Sequence, residues 1–473
     1  MRFNNPDHIT KELTFDDVFL FQQLSDIKSR TQVNITPNPL STTIPIISSN
    51  MNSVTGKRMA QKLARLGGLG VLPQDMSLEK TLKVIDSVHN SDIRLDEPLT
   101  LTEEDTIRDA LGIINKRSHQ GIILIDKNNK PLAVYKESDF YGLDQYTKIK
   151  DIKKRALIVG EKGINDEEAF NIMEDNGISS LPIVENGILI GILTRDDTIR
   201  NSIYNPSLNK NGQLDLAIAL SLNSYNERIE HLVNSGINTI FLDTAHGYTT
   251  KMLDAIKKVR AKYQDIILIA GNVMGGDGTE ALLKAGANGV KVGIGPGAMC
   301  TTRMMTGVGR PQVSAILESV EASKEYGGFI IADGGIKYPR DLIIALALGA
   351  SHGMLGTLLA GTYESPGDIM EDKDGKYKQN WGMASGKAVT GRTKDLSRFE
   401  QARRERFREG ISTGRIYNPK PLGDVIDKFT TGLSSAMTYT GAKNLEEFSN
   451  KAKLGVQTTA GFQEGTPHGE IKK

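Results

Sequence analysis

Short apolar runs recur along the chain, and each ends in or near Gly, Ser, Asn or Asp before a helix-like segment begins. The eight runs are Thr43–Asn50, Gly68–Leu72, Leu214–Ser221, Thr239–Thr244, Asp265–Asn272, Gly289–Ile294, Gly328–Gly334 and Gly353–Thr357. Continuous apolar strands that alternate with amphipathic helices are typical of a parallel sheet covered on both faces. Eight such units predict an α/β fold, a closed (β/α)8 TIM barrel rather than an open doubly wound sheet. Polar residues then fall at the carboxyl ends of the strands, where barrel enzymes place their chemistry.

A domain-sized stretch of roughly 140 residues between the second and third runs does not follow this rhythm. It contains an internal repeat, because one helical segment leads into Gly121–Asp139 and a second leads into Leu181–Asp197. Each copy predicts a helix, two strands joined by a short polar turn, and an acidic end. We therefore expect a barrel in two parts, residues 1–92 and 206–473, around an insert at residues 93–205 that folds separately. A purely structural insert is the alternative.

Composition removes several classes of protein from consideration. The 58 Lys and Arg residues nearly balance the 57 Asp and Glu residues, which excludes the basic field of a nucleic-acid or membrane-surface binder. One cysteine in 473 residues excludes an intrachain disulfide framework and fits a reducing compartment. Residues 1–6 carry no apolar signal core, and no apolar run approaches about 18 residues. We expect a cytoplasmic protein of two or three domains, without nucleic acid or membrane as a partner.

The single cysteine, Cys300, lies in a segment that reads GIGPGAMCTTR from Gly293 to Arg303. Three glycines and a proline precede it, and they predict a tight loop that a ligand can approach closely. Two threonines and an arginine follow, and these side chains can polarise a substrate or hold charge beside the sulfur. A lone thiol is ordinarily a small buried apolar residue. This neighbourhood instead predicts a nucleophile.

Other predicted strand ends carry groups suited to a phosphorylated ligand. Asp333, Gly334 and Gly335 combine a carboxylate for a ribose diol with backbone N–H groups for a phosphate. Gly356 and Thr357 follow the next strand, where barrels commonly bind phosphate. Together with the cysteine loop they predict one phosphorylated ligand in front of the sulfur. Asp243 and His246 follow an earlier strand, and the alternative for His246 is a capping residue at the strand end.

The run Gly293–Gly309, with Asp333–Gly335 and the repeated insert, resembles the IMP dehydrogenase/GMP reductase family from Leu13 to the C-terminus. In that family a cysteine attacks C2 of a purine nucleotide, and a nicotinamide cofactor accepts or delivers hydride there. The resemblance implies that Cys300 is the nucleophile and Thr302 the hydroxyl beside it. The substrate-binding residues that it implies are Ala298, Asp333, Gly334, Gly335, Gly356, Thr357, Trp381, Gly382, Met383 and Ala384. Ala298 stands where dehydrogenases usually place a phosphate-binding serine. The implied cofactor-binding residues are Asp243, His246, Gly293, Ile294 and Gly295.

The resemblance also implies a monovalent cation, for which hard carbonyl ligands fit potassium. Its ligands would come from Gly295, Gly297 and Cys300, and from Glu464, Gly465 and Thr466 of a neighbouring subunit. Not every member of the family depends on this ion, so its presence stays open.

The second repeat copy resembles a CBS module, and its Thr194 and Asp197 match the Thr-x-x-Asp that grips a nucleotide ribose there. The first copy has Lys136 and Asp139 at those positions, which leaves its nucleotide binding open. The partners implied by the resemblance are GMP and IMP as ligands, ATP and GTP as regulatory nucleotides, and further copies of the chain in a homotetramer or homo-octamer.

The direction of the reaction depends on the region that forms a hydrolytic flap in dehydrogenases. Those enzymes use an Arg-Tyr pair there, whereas this chain has Arg398 and Phe399, and the segment up to Glu409 looks short and helical. The cysteine run, Asn50-Met51 and the tail Leu454–Gly465 resemble bacterial GMP reductases that carry a CBS insert. The resemblance therefore favours purine salvage by NADPH-dependent reduction of GMP to IMP and ammonia, with Glu409 pairing with Thr302 for proton transfer.

Two alternatives stay open: an NAD-dependent IMP dehydrogenase, and a nucleotide-sensing or structural protein with weak catalysis. Many reductases also carry a lysine where this chain reads Leu72–Asp75, so the group that assists at the purine is not determined.

Overall fold

The computed structural model describes residues 11–114, 117–119, 121–153, 156–382, 397–406 and 414–467. The strands are β1 (Val18–Leu20), β2 (Ile46–Ser48), β3 (Leu69–Leu72), β4 (Leu99–Leu101), β5 (Gly121–Ile125), β6 (Pro131–Lys136), β7 (Gly160–Glu161), β8 (Ser180–Glu185), β9 (Ile188–Thr194), β10 (Leu216–Leu220), β11 (Thr239–Asp243), β12 (Ile267–Val273), β13 (Gly289–Val292), β14 (Phe329–Asp333), β15 (His352–Leu355), β16 (Met370–Asp372), β17 (Gly375–Asn380), β18 (Gly414–Tyr417) and β19 (Leu454–Val456).

The α-helices are α1 (Lys57–Arg65), α2 (Leu78–His89), α3 (Ile107–Ile114), α4 (Asp166–Asp175), α5 (Arg195–Ile203), α6 (Tyr225–Asn234), α7 (Thr250–Lys262), α8 (Gly276–Lys284), α9 (Thr302–Thr306), α10 (Gln312–Lys324), α11 (Pro339–Ala347), α12 (Thr357–Ala360), α13 (Arg398–Arg406), α14 (Leu422–Thr440), α15 (Leu445–Lys451) and α16 (Thr459–Glu464). Single 3-10 turns lie at Phe15–Asp17, Arg30–Gln32, Glu137–Phe140 and Ile149–Asp151. Within the described ranges no helix is both long enough and apolar enough to cross a membrane.

Eight parallel strands close into a barrel in the order β2, β3, β10, β11, β12, β13, β14, β15 and back to β2. Each of the eight predicted apolar runs overlaps one of these strands, so the predicted (β/α)8 barrel is confirmed. The strands read as continuous apolar runs because one face packs inside the barrel and the other packs under the helices. Inside the barrel, side chains such as Ile47, Phe241 and Met354 fill the interior, so the barrel is a packed core and not a pore.

Two buried or partly buried hydrogen bonds lie at the amino-terminal mouth of the barrel. Ser41 donates to Asp215 at 2.5 Å, and Thr42 bonds the ring of His352 at 2.8 Å. His352 is fully buried, and burial lowers the pKa of its imidazole to about 3. The ring is therefore neutral in the folded protein and bonds as a neutral group.

The chain between β3 and β10 builds two three-stranded sheets of the same design. In the first, β4 pairs parallel with β5, which pairs antiparallel with β6; in the second, β7, β8 and β9 repeat this pattern. The helices α3 and α4 pack on the two sheets, and each half has its own apolar cluster. Ile123, Leu189 and Ile192 form a third cluster where the two copies meet. The two repeat copies found in the sequence correspond to these two halves.

A small antiparallel sheet of β16, β17 and β18 stands beside the carboxyl mouth of the barrel. It carries Asn380 to the mouth at the end of β17, followed by Trp381 and Gly382. The helix α13 covers the described part of the segment compared with the dehydrogenase flap, and its Phe399 side chain is 76% exposed. The described part of that segment is therefore helical, as the sequence predicts.

Candidate active site

Cys300 lies on the loop that leaves β13 at the carboxyl mouth of the barrel, and its side chain is exposed. The loop turns sharply, since the Cys300 N–H donates to the Gly297 carbonyl at 2.9 Å. Gly293 and Gly295 have φ values of 149° and 93°, and a Cβ on Gly293 would overlap the Asp333 carbonyl oxygen. Only glycine tolerates both the backbone conformation and the close approach. The glycines thus bring the cysteine loop against the end of β14.

The hydroxyl of Thr302 lies 3.2 Å from the Cys300 sulfur. Thr302 begins the short helix α9, so its position two residues after the cysteine is fixed by a helical turn. A hydroxyl at this distance can bond a thiolate and can pass a proton to or from a group held at the sulfur. The structure therefore brings together the two residues that the sequence pairs as nucleophile and neighbouring hydroxyl.

Gly334 and Gly335 continue β14 into a left-handed turn, with φ values of 91° and 80°. This turn packs on the cysteine loop: a Cβ on Gly334 would lie 3.1 Å from the Gly297 N, and one on Gly335 would lie 3.3 Å from the Pro296 Cβ. The close contact leaves the Asp333 carboxylate at the strand end beside the cysteine loop. The turn after Asp333 and the loop that carries Cys300 are thus in contact.

A buried lysine joins the acidic strand ends, and the sequence analysis did not anticipate it. Lys291 of β13 lies 2.8 Å from Asp243 Oδ1 and 3.0 Å from Asp333 Oδ2, and its side chain is only 5% exposed. Burial alone lowers the pKa of Lys291, but the two carboxylates outweigh it and the pKa is raised. The ammonium is therefore charged and binds the ends of β11 and β14 together.

Two asparagines complete this network. Asn50, at the end of β2, donates to Asp243 Oδ2 at 2.6 Å, and Asn272 of β12 donates to Asp333 Oδ2 at 2.8 Å. Both oxygens of Asp243 are thereby engaged. Asp243 holds Lys291 and Asn50, while Asp333 receives the lysine and Asn272 on a single oxygen.

A second set of contacts forms the side of the site that the sequence assigns to phosphate. Asn380 donates to the Thr357 hydroxyl at 3.2 Å and accepts from Ser53 at 2.8 Å. Ser53 also lies 3.4 Å from the Trp381 carbonyl. Gly356 lies beside Met51, since a Cβ on Gly356 would meet the Met51 sulfur at 3.6 Å.

The segment after β17 closes this side against the cysteine loop. A Cβ on Gly382 would lie 3.0 Å from the Met299 carbonyl, and Met299 precedes the cysteine. Gly356, Thr357, Trp381 and Gly382 are thus brought to the same mouth as Cys300. Ala298 is exposed on the loop itself. Met383, Ala384 and Glu409, which the sequence also assigns to the site, lie outside the described residues.

The residues predicted to hold a cofactor follow β11 and β13. His246 is exposed in the loop after β11, and the Gly247 N–H donates to the Asn272 carbonyl at 2.7 Å, which fixes this loop at the end of β12. Ile294 is buried, and the Gly293 carbonyl accepts from Asn272 at 2.7 Å.

The predicted cation site takes ligands from two subunits, and the structure contains a single chain. Among the described residues, no three His, Cys, Asp or Glu side chains gather closely enough to hold a metal ion. Carbonyl oxygens are the donors on the cysteine loop, and the Gly297 carbonyl keeps one lone pair after its bond to Cys300. Glu464 ends α16, and Gly465 and Thr466 follow it; this helix packs beside the turn at Phe15–Asp17.

Thr194 and Asp197, assigned to a regulatory nucleotide, lie elsewhere, where α5 of the insert meets the barrel. Asp197 accepts from the Lys62 ammonium of α1 at 2.6 Å. A side chain that the sequence assigns to ribose binding is therefore in contact with the barrel in this structure.

Comparison with known proteins gives one consistent result. A model of the IMP dehydrogenase / GMP reductase domain matches residues 12–468. The chain is 43% identical over 474 aligned residues to the GMP reductase of Mycobacterium tuberculosis strain H37Rv, covering 99% of each protein. It is 37% identical to the inosine-5′-monophosphate dehydrogenase of Aquifex aeolicus, covering 97% of this chain and 96% of that one. A crystal structure of GMP reductase from Trypanosoma brucei in complex with guanosine 5′-monophosphate superposes with a TM-score of 0.71 at 30% identity. That match covers 99% of this chain and 100% of the other.

Proposed function

The chain belongs to the IMP dehydrogenase / GMP reductase family, and we propose that it is a GMP reductase, which converts GMP and NADPH to IMP, ammonia and NADP⁺. The observation that carries the proposal is the cysteine loop. The Cys300 sulfur lies 3.2 Å from the Thr302 hydroxyl, on a loop packed against Asp333 and the two glycines that follow it. The full-length likeness to a GMP reductase at 43% identity favours this direction over oxidation of IMP.

The chemistry divides into two steps at C2 of the purine. In the first, the Cys300 thiolate forms a bond to C2, and the exocyclic amine takes a proton and leaves as ammonia. Thr302, whose hydroxyl lies beside the sulfur, would deliver that proton, and Glu409 would replenish it. In the second, hydride arrives at C2, the C–S bond breaks, and the electron pair returns to the sulfur as the thiolate. The products are IMP and the free enzyme.

The substrate would lie across the mouth with its ribose at Asp333. Oδ2 of this carboxylate is held by Lys291 and Asn272, which leaves Oδ1 to accept from the ribose diol. The phosphate would meet backbone N–H groups at Gly334 and Gly335 and the hydroxyl of Thr357, while Trp381, Gly382, Met383 and Ala384 would meet the phosphate and the base. Ala298 offers no hydroxyl to the phosphate.

The nicotinamide cofactor supplies the hydride when it is bound. The surface after β11 fits such a group, since the exposed His246 imidazole and the half-exposed Tyr248 ring offer flat polar surfaces beside the ends of β12 and β13. Gly293 and Gly295 add loop backbone that a ring can approach closely. These residues would bind and orient the cofactor and exclude water from the sulfur.

A potassium ion fits the donors of the cysteine loop, because the available ligands there are carbonyl oxygens. Gly295, Gly297 and Cys300 would supply them, together with Glu464, Gly465 and Thr466 from a neighbouring subunit of a tetramer or octamer. Such an ion would stabilise the loop conformation that presents Cys300.

The insert is proposed to be a CBS pair, in residues 93–205, that binds purine nucleotides such as ATP and GTP. The support is its internal symmetry, since both halves repeat the pattern of a parallel strand and a hairpin. Thr194 and Asp197 would hold the ribose of a nucleotide in the second half.

The absorbance of the nicotinamide tests the reaction directly. Purified protein with GMP and NADPH is expected to lose absorbance at the nicotinamide band and to release one ammonia per IMP formed. NADH formation from IMP and NAD, with no reaction of GMP, would overturn the proposal in favour of a dehydrogenase. No reaction in either direction would favour a nucleotide-sensing protein. The Cys300→Ala variant is expected to bind GMP without turnover, because its fold does not depend on an exposed thiol.

A further inference from the structure

A lysine of the barrel binds the carboxylate that the insert would use to bind a nucleotide. Thr194 caps α5: its hydroxyl donates to Asp197 Oδ2 at 2.7 Å and accepts from the Asp197 N–H at 3.0 Å. Oδ1 of Asp197 is the oxygen that the cap does not use. The Lys62 ammonium of the barrel helix α1 donates to this oxygen at 2.6 Å.

This ion pair is buried, since the side chains of Lys62 and Asp197 are each 9% exposed. Burial alone raises the pKa of Asp197, but the attraction of Lys62 outweighs it and the pKa is lowered. Lys62 also lies 3.5 Å from Asp96, which is paired with Arg65 at 3.4 Å. The contact between α1 and the insert is therefore a buried group of ion pairs and not a solvent-exposed surface pair.

A second clamp holds the same helix of the insert one turn further on. Arg200 of α5 donates to Asp424 at 2.6 Å and to Asp427 at 2.9 Å, both on the barrel helix α14. The Tyr204 hydroxyl donates to Asp427 at 2.8 Å. The carboxylates of α14 lie beyond the Thr194–Asp197 cap, so this clamp can be weakened without changing the cap.

A polar cavity of about 210 Å³ lies beside the ion pair, between α5 and the barrel. Its lining includes Lys62, His119, Arg195, Asp197 and Glu364. Glu364 is 7% exposed, and among the described residues nothing bonds its Oε1, so this buried oxygen lacks a partner. Burial raises the pKa of Glu364. The volume of this cavity is below the about 300–1,000 Å³ that ligand pockets commonly measure.

We propose that a ribonucleotide and the barrel compete for Asp197, so that nucleotide binding requires Lys62 to leave and α5 to separate from the barrel. The vicinal hydroxyls of a ribose donate hydrogen bonds to a carboxylate, and they would take the oxygen that Lys62 holds. Arg195 and His119 line the space where phosphates would lie. The inference rests on the proposed nucleotide binding of the insert. By linkage, whatever weakens the docked state increases the apparent affinity for the nucleotide, and the nucleotide weakens docking in return.

The experiment measures ATP and GTP binding by calorimetry to the full chain and three variants. Lys62→Met removes the competing ammonium, and Asp427→Asn weakens the second clamp at a residue that does not itself line the cavity, although its partner Arg200 does. Both are expected to bind at least one nucleotide on the order of tenfold more tightly than the parent, because apparent affinity scales with the fraction of undocked protein. Lys83→Met, which removes an exposed lysine paired with Glu79 on α2, is the matched control and should bind as the parent does.

Hydrogen exchange on the parent chain gives the second measurement. Adding the nucleotide is expected to accelerate exchange in α5 and at the start of α14, since their contacts are released. Weaker binding by Lys62→Met would show that Lys62 is a nucleotide ligand, and unchanged binding by Asp427→Asn would show that docking does not compete. Either result, or binding of neither nucleotide to any form, overturns the proposal. GMP turnover with NADPH, measured on the same preparations without ATP or GTP, reports separately on the proposed reductase activity.

Discussion

Replacing Lys291 with methionine tests whether the buried network holds the substrate site in its working form. The methionine has about the length of the lysine but no charge, so Asp243 and Asp333 would face each other across the barrel mouth without a cation. Their side chains are only 12% and 20% exposed. Removing one partner from a buried ion pair costs about 3–5 kcal/mol of folding free energy, and we expect a lower midpoint of thermal unfolding.

The loss of activity should exceed what the loss of stability explains. A hydrogen bond to a charged group contributes about 1.5–3 kcal/mol, which corresponds to roughly a tenfold to 150-fold lower kcat/KM for GMP when Asp333 is no longer oriented. Lys257→Met, an exposed lysine on α7, is the control.

Steady-state kinetics below the unfolding temperature, together with thermal melts, check this reasoning. The Lys291→Arg variant keeps the charge and should recover part of the activity. If Lys291→Met retained the parent's kcat/KM, the network would be a structural feature without influence on the substrate. If only the melting temperature fell, the positioning role of Lys291 would likewise be refuted.

Three further predictions concern the hydroxyl of Thr302, the glycine at position 293 of the cysteine loop, and His352 at the amino-terminal end of the barrel. Thr302→Val should lower kcat by about 10²–10⁴ with little change in KM, because it removes the hydroxyl beside the sulfur but no proposed substrate contact; a parallel loss in GMP affinity would contradict this. Gly293→Ala should lower kcat/KM at least about 100-fold by pushing the loop off the Asp333 carbonyl, whereas Gly112→Ala in the uncrowded helix α3 should not. The pKa of the His352 imidazole is about 6.5 in the unfolded chain and about 3 in the folded protein. The unfolded state then binds more protons between these values, so stability should fall by roughly 3 kcal/mol as pH drops from 7 to 4.5; urea unfolding should show a flatter profile for His352→Asn.

The barrel was predictable because its signal is repeated eight times. Each buried strand reads as an apolar run, and each run ends in the small or polar residues that a strand end needs. The cysteine loop was predictable for a different reason, since the glycines at 293 and 295 are required by the backbone conformation that they adopt. Both features are local in sequence. The pattern alone therefore contains them.

The lysines were not predictable in the same way, because their partners are distant in sequence. Lys291 lies inside an apolar run that indicates a strand, and nothing adjacent shows which acids it meets. A charge in a buried strand must be paired, so the sequence could have indicated that an acidic partner exists. Lys62 occupies a polar position of an amphipathic helix, which ordinarily faces solvent, but here its ammonium is buried against Asp197 of the insert.

Closure of the barrel is what brings the reacting and positioning groups together. Asn50 follows β2 and Asp243 ends β11. These two strands are separated in the barrel by β3 and β10, yet the two side chains bond at 2.6 Å. Lys291 reaches from β13 to Asp243 across β12 and to Asp333 on the neighbouring β14. In an open sheet the ends of strands that are not adjacent lie farther apart, whereas a barrel of eight strands is narrow enough for side chains to meet across its mouth. The same closure brings Cys300, on the loop after β13, to the network that orients Asp333. The Lys291 ammonium therefore lies between the strand that leads to the nucleophile and the proposed ribose contact, and we expect a substitution of Lys291 to affect both.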